Sequence, residues 1–233
     1  MLDQIHRLGF ALLPAILDNR DADKLGDRLA MALNADRPAV LRSRGQMYGS
    51  RDLISLWPEV CELPRRPALH DLLVTLLGPQ VGLVRALFFD KPPQRSWSLP
   101  WHRDKTIAVK DNTLASEQFQ RPTTKAGIPH VEAPQSLLEQ MLTLRIHLDP
   151  MTPANGPLSV IPGSHILERE SQAAPVELHC AAGDVLAMRP LISHSSSAPH
   201  ADNTLHRRIV HLEFAPRPTL PDRYQWQWFQ AVT

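Results

Sequence analysis

A chain of 233 residues can bury one sizeable core, and no stretch reads as an interdomain linker, so residues 1–233 are expected to form a single domain. A formal charge of +1, from 25 Lys and Arg against 24 Asp and Glu with no long run of either sign, provides no electrostatic stripe and argues against a nucleic-acid partner. No apolar stretch approaches the roughly 20 residues that span a bilayer, and the opening MLDQIHRLGFALLP has an early Asp and no small-residue cleavage site. No membrane association and a cytoplasmic setting are therefore expected.

Taken in chain order, residues 21–34 place Leu25, Leu29, Ala32 and Leu33 at helical spacing, with Asp21 or Asp23 as the cap. Residues 36–68, with Arg42, Arg44, Arg51, Arg65 and Arg66, carry no clear period and read as a long loop. A second helix is predicted over Leu69–Leu77, ended by Gly78 in a left-handed conformation and by Pro79. Beyond it the period changes. VGLVRALFFD, MLTLRIHL, PLSVI, VELH, GDVLAMR and RRIVHLEF are short runs of branched and aromatic residues between Gly and Pro punctuation, and they read as strands. Residues 110–135 resist assignment. The 22 prolines exclude a bundle of long helices, and the strand succession predicts a mainly β sandwich or jelly roll with N-terminal buttressing α-helices. Cys61 and Cys180 have no pairing or zinc spacing and are expected as buried, inert thiols.

The chemistry begins at Pro100-Trp101-His102-Arg103-Asp104. If this segment is extended, the pleat sends His102 and Asp104 to one face, with Cα atoms roughly 6.6 Å apart. A His-x-Asp pair alone is a weak signal, since most such tripeptides are surface loops. Much further along, GDVLAMRPLISH (183–194) reads as turn, strand and turn, and His194 at its end supplies a third candidate ligand. Two neutral imidazoles and one carboxylate leave about three coordination positions free, the arrangement of non-haem iron(II) oxygenases. A bidentate 2-oxo acid and O2 would fill them. An oxo-diacid also needs a fixed cation for its distal carboxylate, and arginine offers a planar, permanently charged fork. Arg207, at the start of RRIVHLEF, fits, but Arg207 and Arg208 point to opposite faces of a strand and periodicity does not choose between them.

These residues resemble the phytanoyl-CoA dioxygenase family, in its bacterial branch of unassigned substrate. The resemblance runs through Gly9-Phe10 with ALLP, RALFFDKPP (85–93), PWHRDKTIAVKD (100–111), KAGIPHVEAP (125–134) and, most specifically, LTLRIHLDPMTPANGPLSVIPGSH (142–165). It implies a double-stranded β-helix, cupin-like in form, with the metal inside one mouth. It puts the metal ligands and catalytic centre on His102, Asp104 and His194, and 2-oxoglutarate on Arg207 and Ser196, with Arg208 as the alternative because the arginine stands further from the second histidine than the family pattern has it. It implies Fe(II) with 2-oxoglutarate and O2 as cosubstrates, and hydroxylation of a small organic substrate with release of succinate and CO2. Asp104 argues against a halogenase, which leaves that ligand position vacant.

Blander readings stand beside these. A catalytically silent metal- or 2-oxoglutarate-binding or sensing protein would keep the same residues, and zinc hydrolysis could use the same three ligands. His165, His200, His206 and His211 are expected to be structural or solvent-facing. Arg145 and His147 share a face with Thr143, and a polar outer sheet face is the favoured reading of Arg145 over a place in the pocket. Gly156 and Gly163 are assigned to turns, and the C-terminal YQWQWF to packing. Arg42, Arg44 and Arg51 admit either a solvated loop or a hold on an anionic group of the substrate.

Overall fold

The computed structural model describes residues 1–34, 37–43, 45–93, 97–166 and 173–233. Five α-helices precede or interrupt the strands in the described residues: α1 (Leu2–Leu8), α2 (Asn19–Ala32), α3 (Leu53–Leu56), α4 (Pro67–Leu77) and α5 (Gln135–Leu138). Fifteen strands occur there: β1 (Phe10–Leu13), β2 (Val40–Ser43), β3 (Gln46–Ser50), β4 (Gly82–Lys91), β5 (Leu99–His102), β6 (Thr106–Ala108), β7 (Gln120–Lys125), β8 (Ile128–Glu132), β9 (Leu142–His147), β10 (Leu158–Val160), β11 (Val176–Leu178), β12 (Val185–Met188), β13 (His194–Ser196), β14 (Arg207–Ala215) and β15 (Gln230–Ala231).

The strands form an eight-stranded antiparallel sheet in the order β1-β12-β9-β14-β4-β3-β2, with β15 added on β4, and a four-stranded sheet in the order β11-β10-β13-β5. Together they make the double-stranded β-helix. A third sheet, β6-β8-β7, takes β7 and β8 from residues 110–135, where the sequence pattern shows no assignable element, and β6 from just before them. β1 and the β2–β3 pair were likewise not anticipated.

The expected helices both form. α2 begins earlier than predicted, because Asp18, not Asp21 or Asp23, is the cap: its carboxylate accepts the Asp21 N–H at 2.7 Å. α4 starts with Pro67 in the first turn, where its missing N–H costs nothing. It stops at Gly78, which has φ 90° and ψ 173°, so it is extended on the positive-φ side and not left-handed helical as expected. Leu25, Leu29, Leu69 and Leu73 pack with Leu144, Ile146, Val210, Leu212 and Phe214, so the helices cover one face of the large sheet. Each fully buried Leu contributes about 1.5–3 kcal/mol. The other face is turned toward the smaller sheet and carries the site.

Two glycines have steric work to do. At Gly183 (φ 86°) a Cβ would collide with the Leu17 carbonyl, and at Gly156 (φ 76°) with the Ser197 carbonyl at 2.5 Å. Gly163 also has a positive φ, as its turn assignment requires. Tyr224 and Trp226 are buried in a cluster with Val109, Phe119 and Leu137, so the C-terminal aromatics pack as expected. Cys180 is buried, and burial pushes its thiol up to about 12; Cys61 is only half-buried, a departure from the expectation.

Candidate metal centre and cavity

His102 closes β5, and His194 opens β13 directly opposite it in the register of the smaller sheet. Asp104 lies beyond the end of β5, so the pair is not on one continuous extended strand. The carboxylate is placed by an irregular segment whose backbone is tied to the residues before β13 through the Asp104 N–H and the Pro190 carbonyl, 2.9 Å apart. The three side chains still converge: one donor atom from each of His102, Asp104 and His194 falls within 4.8 Å of the others. His102 Nε2 is 4.0 Å and His194 Nε2 3.6 Å from the Asp104 carboxylate.

Both rings are held in the same way. His102 Nδ1 is 2.7 Å from the Pro100 carbonyl, and His194 Nδ1 is 2.9 Å from the Ile192 carbonyl. A carbonyl only accepts, so Nδ1 carries the proton and the Nε2 lone pair faces Asp104 in both rings. Burial lowers His194 to about 4, despite the opposing pull of Asp104, and keeps it neutral as a ligand must be. Burial alone would raise Asp104, but His194, His211, His102 and Arg145 together outweigh it and hold the carboxyl below its usual value.

This cluster opens on a cavity of about 520 Å³. Arg207 lines it, 5% exposed, with Nε unpartnered and only the Met151 sulfur near Nη1. Arg208 points the other way into a bidentate pair with Asp149 (2.9 and 2.8 Å) beneath α2. Of the two candidates left open by sequence, Arg207 is the one in the cavity. Ser196 also lines it and accepts a hydrogen bond from Lys91 Nζ at 3.0 Å. Lys91 pairs with Arg207 across β4 and β14 and is 2% exposed; burial, then Arg207 and Arg145, bring it down to about 7.

One expectation needs correction. Arg145 is not on a polar outer face: it is 8% exposed, lines the cavity and leaves Nε without a partner. His147, on the same face, is fully buried with both ring nitrogens unpartnered, and burial lowers it to about 3. His211 does more than fill space, since it lines the cavity and contacts Glu213 at 3.3 Å. His165, His200 and His206 stay outside the donor cluster in the described residues. Of the loop arginines, Arg51 lines the cavity, Arg42 donates to the Leu33 and Asn34 carbonyls at the end of α2, and Arg44 lies outside the described residues.

Sequence reasoning also missed Lys91, Arg85, Lys125 and Glu213 as lining residues. A signal existed. In RRIVHLEF, His211 and Glu213 share the period-two phase of Arg207, and in β4 Arg85 and Lys91 share one phase of a strand whose only other charge, Asp90, lies on the opposite phase.

A double-stranded β-helix with a His-Asp-His cluster opening on a cavity rich in Arg and Lys defines the class: a cupin-like barrel with a candidate metal centre inside it. The phytanoyl-CoA dioxygenase (PhyH) profile matches residues 23–210. The chain belongs to that family. A curated relative, L-proline trans-4-hydroxylase of Streptomyces griseoviridis, is 29% identical over 164 residues, 68% of this chain and 52% of that protein. The chain thus matches about half the length of that relative. Solved structures agree in fold. EctD from S. alaskensis with bound Fe has a TM-score of 0.69 at 19% identity, covering 91% of this chain and 74% of that one. AviO1 from Streptomyces viridochromogenes Tue57 has a TM-score of 0.62 at 24% identity, covering 94% and 95%. No helix in the described residues is long and apolar enough to cross a membrane.

Proposed function

We propose that the chain is an iron(II)- and 2-oxoglutarate-dependent dioxygenase that hydroxylates an unactivated C–H bond of a small organic substrate. In the overall reaction one oxygen atom of O2 enters the product alcohol and the other enters succinate, while 2-oxoglutarate loses CO2. The observation that carries this reading is the convergence of His102, Asp104 and His194, with both histidine Nδ1 atoms already engaged, beside the buried Arg207, whose Nε is unpartnered and which has no ion pair among the described residues.

The donor set fits iron(II): two neutral nitrogens and one carboxylate, open on the cavity side. His102, Asp104 and His194 would hold the metal, and when bound it supplies the redox chemistry with O2. Arg207 would take the distal carboxylate of 2-oxoglutarate, with Ser196 and Lys91 beside it. That dianion would relieve the unfavourable burial of guanidinium and ammonium groups. Leu158, Ile209 and Trp97 wall the cavity and exclude water from the reacting carbon.

The test is anaerobic titration of the purified protein with ferrous iron and 2-oxoglutarate, followed by oxygen. The enzyme reading expects a ferrous 2-oxoglutarate absorption band that decays with succinate release in the presence of substrate. A band that forms and persists with every candidate substrate would instead support a binding or sensing protein. The relative's hydroxylation of L-proline makes amino acids the first substrates to try. We read residues 1–233 as one domain in a cytoplasmic setting, with a small molecule and not nucleic acid as the partner.

A further inference from the structure

The cavity has two cationic ends, and the oxygenase reading uses only one. On β14 the inward residues are Arg207, Ile209, His211 and Glu213, and across the register on β4 they face Lys91, Phe89, Leu87 and Arg85. At roughly 3.3 Å per residue, Arg207 and Glu213 lie about 20 Å apart along the strand. His211, which pairs with Arg145 on β9, sits between them, about 13 Å along the strand from Arg207 and about 7 Å from Glu213, and lines the cavity together with His102, Asp104 and His194.

At the end away from Arg207, the described residues gather Arg51, Arg85 and Lys125 around Glu213, with Asp104 on the side of the metal cluster. Glu213 is already engaged by Arg85 at 3.1 Å and His211 at 3.3 Å. Lys125 Nζ has only the neutral Thr106 hydroxyl, at 2.7 Å. The Arg51 side chain has no hydrogen bond or ion pair in the described residues, yet it lines the cavity beside the other two. Like charges enclosed by low-dielectric walls repel, and the cost persists unless an anion joins them.

Resting on the oxygenase reading, we propose that the substrate carries a carboxylate, which Arg51 and Lys125 bind at the Arg85–Glu213 end of the cavity. The Arg85–Glu213 pair orients that end and keeps its charge from collapsing onto the substrate group. This seat lies two strand residues, about 7 Å, beyond His211. A C–H bond presented to the metal cluster is therefore only a few bonds from the carboxylate, which fits a small organic acid better than a long acyl chain.

The test uses the ferrous protein saturated with 2-oxoglutarate without oxygen. If the ferrous 2-oxoglutarate band fails to form, the oxygenase reading fails, independently of the carboxylate seat. With the band present, melting temperature is followed against acetate, acetamide and inorganic phosphate at constant ionic strength. Acetate is expected to stabilise the protein and acetamide is not. Arg51→Gln and Lys125→Gln are each expected to weaken the acetate effect about tenfold, a charge-assisted hydrogen bond's worth, with 2-oxoglutarate affinity held within about twofold. Arg51→Lys keeps the charge and retains part of the effect, which separates binding from folding. The proposal is overturned if acetate does nothing to the wild type, if acetamide matches it, if phosphate alone stabilises, or if acetate stabilises both Gln variants as strongly as the wild type.

Discussion

The two faces of the large sheet are equally buried but chemically opposite. On β14, Val210, Leu212 and Phe214 lie against the helices in a continuous apolar core, while Arg207, His211 and Glu213 face the cavity one residue out of step. β9 repeats the contrast, with Leu142, Leu144 and Ile146 on one face and Arg145 and His147 on the other. One face settles its free energy by hydrophobic burial. The other leaves guanidinium and imidazole nitrogens unpartnered, which a fold tolerates where a ligand completes them. The difference teaches where stability ends and function begins, and mutations on either face should separate the two.

The largest effect is expected from Asp104→Ala, which removes the only carboxylate of the donor cluster. Iron content of the purified protein and succinate release should both fall to background, with folding retained. Succinate release at the wild-type rate from iron-loaded Asp104→Ala would sink the assignment. On the apolar face, Leu212→Ala should do the reverse, lowering unfolding free energy by about 2–5 kcal/mol while leaving the ferrous 2-oxoglutarate band intact below the melting transition. Denaturant unfolding monitored by circular dichroism measures the first, and absorption the second.

A finer cut compares neighbours on one strand. Arg207→Ala should weaken 2-oxoglutarate by about ten- to a hundredfold, since a charge-assisted hydrogen bond contributes about 1.5–3 kcal/mol. Arg208→Ala should leave that affinity near wild type and instead cost about 1 kcal/mol of stability through the lost pair with Asp149. Calorimetric titration of both variants decides it, and the reverse order would move the site to Arg208.

How much of this was legible follows the same division. β4, β9, β12 and β14 announce themselves as branched apolar runs, and α2 and α4 as leucines at helical spacing. β2 and β3, with VLRS and QMYGS, and β7, with a proline inside QRPTTK, have too few apolar residues to show a period. The candidate metal cluster was readable because His102 and Asp104 are two residues apart and His194 follows a strand. Arg145 was misplaced because alternation gives only which residues share a face, and a polar face looks the same whether it meets water or a closed cavity. The meeting of Arg51, Arg85 and Lys125 depends on the packing of β4 with β14 and on two segments that sequence left unassigned, so no local pattern carries it.

The smallest expected effect concerns Lys91, and it sharpens the contrast because it reads the cost of the polar face directly. Burial, with Arg207 and Arg145 nearby, lowers its ammonium from 10.5 to about 7. Between those values the unfolded chain holds a proton there that the folded chain has partly released. Lys91 therefore makes stability rise as pH climbs from about 7 toward 10.5, whereas below 7 both states are protonated and the full penalty stands. A bound 2-oxoglutarate dianion would favour the charged form, so at pH 8 its binding should take up a fraction of a proton. Calorimetry in two buffers of different ionisation enthalpy measures that uptake, and Lys91→Met should abolish it while flattening the rise of stability with pH. Uptake unchanged in Lys91→Met would assign the proton to another group and separate Lys91 from the cosubstrate end of the cavity.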